Sequence, residues 1–111
     1  NDSHGIARYE QWQFFIMSEL EQPLWSMGKH SFVLPQEYRL DGMKNTALYE
    51  WDKALKVLET GLTGPYLLGE QLTVLDIMAA HTLRWAHRYD VPAYSTVVED
   101  YHQRVQSKYL K

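Results

Sequence analysis

Apolar residues recur every three or four positions along most of the chain, which is the period of an amphipathic α-helix. Ile6, Tyr9, Trp12, Ile16, Leu20 and Leu24 form the first stripe. Asp2 or Ser3 can cap its start. Pro23 falls late in the pattern, where a missing N–H and a ring clash kink or end a helix. Gly28 follows as a stop signal, and residues 29–36 read as a loop closing at Pro35. A second helix is expected from about Glu37 or Asn45 to Glu59, with Leu48, Trp51, Leu55, Leu58 and Leu62 on its apolar seam. Gly61 suits the position just past a helix end, and Pro65 comes shortly after it. Glu50 with Lys53, and Asp52 with Lys56, are spaced to pair on the exposed face.

The sharpest local signal comes next. Gly64-Pro65-Tyr66-Leu67-Leu68-Gly69 is a glycine-bounded apolar loop. Thr73-Val74-Leu75-Asp76 then sets an N-cap hydroxyl three residues before a carboxylate, an Asp variant of the capping box, with Leu72 and Ile77 placed as a hydrophobic staple. The helix that follows, to about Arg88, carries Val74, Leu75, Ile77, Met78, Ala79, Ala80, Leu83, Trp85 and Ala86. A helix apolar on most sides belongs in the centre of a domain. Asp90-Val91-Pro92 turns the chain, with Pro92 suited to a first helical position. The last helix puts Tyr94, Val98, Tyr101 and Val105 on one face, and Glu99, Asp100, Gln103 and Arg104 on the other. No segment alternates long enough to predict a strand, and no internal repeat is present. The expected fold is all-α, a helical bundle of four to five helices around a buried central helix.

Composition narrows the function more than it names it. The 111 residues are 45% apolar and 23% charged, as in an ordinary globular domain. No apolar run approaches the ~18 residues of a membrane span. The net charge of −3 opposes any function built on phosphate-backbone contact. A helix-turn-helix reading of residues 73–106 fails for the same reason, because Glu99 and Asp100 would sit on the recognition helix. There is no cysteine, hence no disulfide, thiolate metal site or cysteine nucleophile. His81 and His87 are six residues apart and lack the spacing of a helical metal pair. Neither a Gly-x-Ser-x-Gly elbow nor a glycine-rich phosphate loop occurs. No catalytic and no metal-binding residue is read from the chain. Trp12, Phe15, Trp25, Trp51 and Trp85 read as core or interface aromatics.

The run from Gly64 through Thr73 and Asp76 to Ile77 resembles the signature of the glutathione S-transferase C-terminal domain. Ile6-Ala7-Arg8-Tyr9-Glu10-Gln11-Trp12 is similar to the start of that domain's first helix. Leu83-Arg84-Trp85-Ala86 is similar to bacterial, beta-like members. The resemblance implies that residues 1–5 end an interdomain linker and that 6–111 form the helical domain. It implies a separate N-terminal thioredoxin-like domain, absent from this chain, that binds glutathione and activates its thiol. This chain alone would then be inactive and hold no cofactor, with glutathione the co-substrate of a full-length parent.

The same resemblance implies what the helical half contributes. It supplies a pocket for small hydrophobic electrophiles and contacts for a homodimer, in a cytoplasmic protein of detoxification that conjugates glutathione or reduces peroxides or disulfides with it. Matched residue by residue, Glu21 on the first helix and Met78 and Trp85 on the central helix fall on substrate-lining positions. Leu72, Thr73, Asp76 and Ile77 fall on the structural capping box and staple. Phe14 occupies the position from which some beta-like members extend a polar side chain to the partner subunit's glutathione. Without the other domain, Ile6, Tyr9 and Trp12 would form an exposed patch that promotes self-association. The alternative is a non-catalytic helical protein–protein interaction module of the same fold. Neither reading involves nucleic acid or a membrane.

Overall fold

The computed structural model describes residues 3–62, 64–91 and 95–109. Asp2, the Ser3 side chain, Pro92 and Tyr94, which carry cap, turn and face assignments above, lie outside the described residues and groups. The described chain is helical, with α1 at Ser3–Phe15, α2 at Gln22–Gly28, α3 at Met43–Gly61, α4 at Val74–Arg88 and α5 at Thr96–Tyr109. Among the described residues no strand forms, and Tyr66 and Gly69 make an isolated antiparallel bridge. The architecture is the all-α bundle that the periodicity predicts.

The first helical stripe runs further than expected, and a change of winding explains how. α1 passes into a π-helical turn at Ile16–Leu20, in which the Glu21 N–H donates to the Ile16 carbonyl five residues back, at 3.0 Å. The wide turn resets the ladder, so Pro23 enters in the first turn of α2. There its missing N–H is not needed, and the proline starts a helix instead of ending one. Gly28 does not stop the chain either. It keeps right-handed helical angles, and a second π-helical turn continues through Lys29–Val33. The stop is Leu34, whose extended backbone (φ −74°, ψ 150°) is the conformation forced on a residue before proline, here Pro35. Most of the expected loop at 29–36 is therefore helix. This run buries Trp12, Phe15, Ile16, Leu20, Leu24 and Met27.

α3 packs on that run with Ala47, Trp51, Ala54, Leu55 and Leu58 buried, and Leu48 and Leu62 half-buried against the same core. Lys56 and Asp52 pair on its outer face at 3.3 Å. Gly61 is the last residue of the helix and Leu62 caps it. The glycine is required by packing, since a Cβ there would lie 2.1 Å from the Trp12 ring. Trp12 is thus buried against α3 and meets Phe15 edge-on at 5.2 Å. Of the patch expected to be exposed, Ile6 is open to solvent, whereas Tyr9 packs on the core and Trp12 lies within it.

The glycine-bounded loop folds back on itself. Tyr66 and Gly69 exchange two backbone hydrogen bonds, at 2.9 and 3.1 Å. Gly69 has φ +120°, which side chains rarely adopt, and a Cβ on Gly64 would stand 2.9 Å from the Gly69 carbonyl oxygen. The turn delivers Tyr66 and Leu67 into the core.

Asp76 ties this loop to two helices. Its side chain is fully buried. Thr73 and Asp76 form the capping box of α4, in which Oδ2 accepts the Thr73 N–H at 2.9 Å and lies 3.4 Å from the Thr73 hydroxyl. Oδ1 accepts the Leu67 N–H at 2.9 Å and the Tyr101 hydroxyl of α5 at 2.7 Å. Burial, then the Asp76 charge and hydrogen bond, push the Tyr101 hydroxyl well above its ordinary pKa, so it stays a donor. Leu72 packs on the core just before the box and Ile77 is half-buried just after it. α4 buries Leu75, Ala79, Ala80, Thr82, Leu83 and Ala86 and exposes Val74, His81, Arg84 and Arg88.

α5 closes the bundle with Val98, Tyr101, His102 and Val105 buried. Ser95 serves both its start and its anchorage: its hydroxyl oxygen accepts the Val98 N–H at 3.2 Å, and the hydroxyl donates to Glu59 of α3 at 3.3 Å. Arg104 donates to the Pro65 carbonyl at 3.0 Å, a second tie from α5 to the loop.

Two stability predictions follow from this packing. Asp76→Ala strands the Leu67 and Thr73 amides and the Tyr101 hydroxyl, each worth about 1–3 kcal/mol when buried without a partner. Urea unfolding should show a loss of about 3 kcal/mol or more, and a larger loss than Tyr101→Phe, which removes one donor. Comparable midpoints for the two variants would contradict the assignment. Gly61→Ala should destabilise by about 1–3 kcal/mol through overpacking against Trp12, although helix propensity alone would stabilise by about 1 kcal/mol. A raised midpoint would show that Trp12 yields freely.

Candidate functional site

The extension of the first helical run past Gly28 creates one side of a concavity in the domain. α2 and its π-helical turn supply Leu24, Trp25, Met27, Gly28, Ser31, Phe32 and Val33. Trp85 near the end of α4, with Tyr89 and Val91 just beyond it, forms the facing wall, and Lys44 in the first turn of α3 stands at the rim. The cavity volume is about 470 Å³, within the range of small-molecule sites.

Two aromatic contacts bridge the walls. Trp25 meets Trp85 edge-to-face, with ring centroids 5.4 Å apart and planes at 84°. Phe32 stacks on Tyr89 at 6.1 Å and 25°. Rings in these geometries attract each other beyond simple burial. They nevertheless leave apolar surface in water, since Trp25, Phe32, Val33 and Tyr89 are all exposed. The lining carries the Lys44 ammonium and the Ser31 and Tyr89 hydroxyls, with no carboxylate or imidazole among the described residues. Such a surface is mostly apolar, with few polar groups at its edge.

Of the sequence-predicted lining residues, Trp85 is in this wall. Met78 lies two turns earlier on α4, half-buried against the core, where its carbonyl accepts the Thr82 hydroxyl at 3.2 Å. Glu21 sits at the joint between the π-helical turn and α2. Its carbonyl accepts the Leu24 and Trp25 amides at 3.1 and 3.3 Å, so its backbone holds the turn that carries Trp25. Trp85 is therefore grouped with Trp25, Phe32 and Tyr89, and neither Glu21 nor Met78 joins the described lining. Leu72, Thr73, Asp76 and Ile77 stand at the opposite end of α4. Phe14 on α1 is 71% exposed and away from the pocket lining.

Sequence reasoning missed Phe32, Val33 and Tyr89. The first two fell in a segment expected to be loop, and the third at an expected helix end. The available signal was Pro35, which marks the true stop better than Gly28 does.

The comparisons with known proteins agree with this architecture. The family model described as glutathione S-transferase, C-terminal domain, matches residues 8–105. The glutathione S-transferase-like protein FUS3 of Gibberella fujikuroi is 33% identical over 118 residues, covering 96% of this chain and 53% of that protein. The protein of the same name from Gibberella moniliformis is 32% identical over 121 residues, covering 99% of this chain and 52% of that protein. The chain thus spans about half the length of the curated relatives it matches. No solved structure matches it significantly. A family model covering nearly the whole chain, on an all-helical bundle with the capping box at its centre, shows that the chain belongs to the glutathione S-transferase C-terminal domain family.

Proposed function

We propose that this domain is the helical half of a glutathione S-transferase-like protein and that the pocket between α2 and α4 takes the hydrophobic co-substrate. The observation that carries the reading is the pocket itself: apolar aromatic walls from two helices, open to solvent, with a single ammonium at the rim among the described lining residues. Apolar surface buried there contributes roughly 25 cal/mol per Å². Trp85 and Trp25 offer flat contact area, and Met27 adapts to ligand shape. Glu21 acts behind the wall by fixing the Trp25 turn, and Met78 packs on the core two turns away.

Glutathione and the group that activates its thiol come from the thioredoxin-like half that the greater length of the relatives leaves room for. The thiolate would attack the bound electrophile from that side, and this half contributes orientation and desolvation. Exposed Ile6 and Phe14 on α1, with Met17 in the π-helical turn after it, are the apolar surface offered to that half or to a second copy in a homodimer. Among the described residues no helix is long and apolar enough to cross a membrane. Disposal of reactive hydrophobic compounds fits such a site.

The test is binding of anilinonaphthalene sulfonate, an apolar anion, read by energy transfer from tryptophan. Phe32→Ala removes an exposed side chain and leaves the core intact, and it should weaken binding about tenfold, or ~1.4 kcal/mol. Lys44→Glu should weaken it further through the sulfonate. In the full-length protein, Trp85→Ala should raise KM for a hydrophobic electrophile and leave KM for glutathione unchanged. Unaltered dye affinity in Phe32→Ala would remove the pocket from the account and favour the interaction-module reading.

A further inference from the structure

We infer that His87, Glu99 and His102 form a binding site for a divalent transition-metal ion, Zn²⁺ foremost, that clips the end of α4 to the start of α5. His87 lies in the last turn of α4. Glu99 and His102 are three residues apart on α5 and share one face. The fold brings His87 to this pair, with one ligand atom from each of the three residues within 4.8 Å of the others. Nε2 of His87 is already 3.2 and 3.1 Å from the two Glu99 carboxylate oxygens. The rings of His87 and His102 approach to 5.4 Å at 63°.

An independent observation points to a ligand. His102 is 2% exposed, yet neither of its ring nitrogens has a hydrogen-bond partner. A buried polar group left unpaired is costly, and native interiors rarely tolerate one without a function. A metal ion would take one of these nitrogens as a ligand. The donor set suits the ion class: two imidazoles and a carboxylate bind Zn²⁺ in three positions and leave a fourth for water. Mg²⁺ and Ca²⁺ prefer oxygen-only cages.

Part of the coordination geometry is already in place. Bonds of about 2.0–2.1 Å in a tetrahedron put ligand atoms ~3.4 Å apart. The His87–Glu99 spacing is close to that. The His87 side chain is half in solvent, and its exposure gives the ion a path in. The buried His102 supplies the fixed ligand. Sequence spacing alone hid the site, because His87 pairs across the turn with α5 and not along its own helix with His81.

The experiment is calorimetric titration of the chelator-stripped full chain with Zn²⁺, with Co²⁺ as a spectroscopic probe. One Zn²⁺ per chain, a visible Co²⁺ ligand-field band and a Zn²⁺-dependent rise in Tm are expected. Glu99→Gln and His87→Gln change solvent-accessible groups, should keep the fold by circular dichroism, and should each lower affinity at least tenfold. His81→Gln should leave it unchanged. His102→Leu should abolish binding, and if that variant fails to fold the two accessible variants still decide. No saturable binding, equal binding of Mg²⁺, or undiminished affinity in Glu99→Gln and His87→Gln would overturn the site.

Discussion

A carboxylate buried among helices is stable only if its surroundings donate to both oxygens, and Asp76 meets that condition with groups from three parts of the chain. Thr73 begins α4, Leu67 belongs to the loop before it, and Tyr101 comes from the middle of α5. The charge therefore dictates where the loop and the last helix sit relative to α4. A lost partner would leave an unpaired charge in the interior, and that penalty makes one arrangement of the three elements much better than its neighbours. Gly64 and Gly69 serve the same geometry, since they permit the tight turn that carries the Leu67 amide bonded to the carboxylate.

With α4 fixed at its start, its far end becomes a platform. Trp85 and Tyr89 stand there, facing the continuation of the first helical run. That continuation exists because two π-helical turns absorb what a regular helix could not. The first accommodates Pro23, and the second carries the chain past Gly28 to Phe32 and Val33. A wide turn in place of a break keeps Trp25 and Phe32 on one continuous helical run, opposite Trp85 of α4 and Tyr89 just beyond it. Irregular helix winding is often found at functional sites, and here it supplies Ser31, Phe32 and Val33 to one wall of the pocket.

The bundle was legible in the residues because its signals are periodic or strictly local. The seam of α3 and the face of α5 follow from spacing, and the Thr73–Asp76 box follows from two residue types at a fixed offset. Where the signals compete, spacing misleads. Pro23 and Gly28 are breakers by local chemistry, but tertiary packing of Leu24 and Met27 against the core outweighs them. Gly61 looked like a helix terminator, and its reason is the Trp12 ring, a contact nearly fifty residues away in sequence. The candidate site was the least legible part. Trp85 was found by likeness to a family pattern, whereas Phe32 and Tyr89 join it only through the path of the chain. The same holds for His102, whose neighbours His87 and Glu99 cannot be paired with it without the turn between α4 and α5.

The most direct test of the role given to Asp76 is native-state hydrogen exchange at the Leu67 amide. Leu67 lies in a short loop with no regular secondary structure, where amides ordinarily exchange through small local openings. If its bond to Asp76 locks the loop to α4 and α5, this amide exchanges only on global unfolding, with the same free energy as the core amides of α4. Exchange at a loop-like rate, while α4 stays protected, would mean that the carboxylate caps its own helix and organises nothing beyond it.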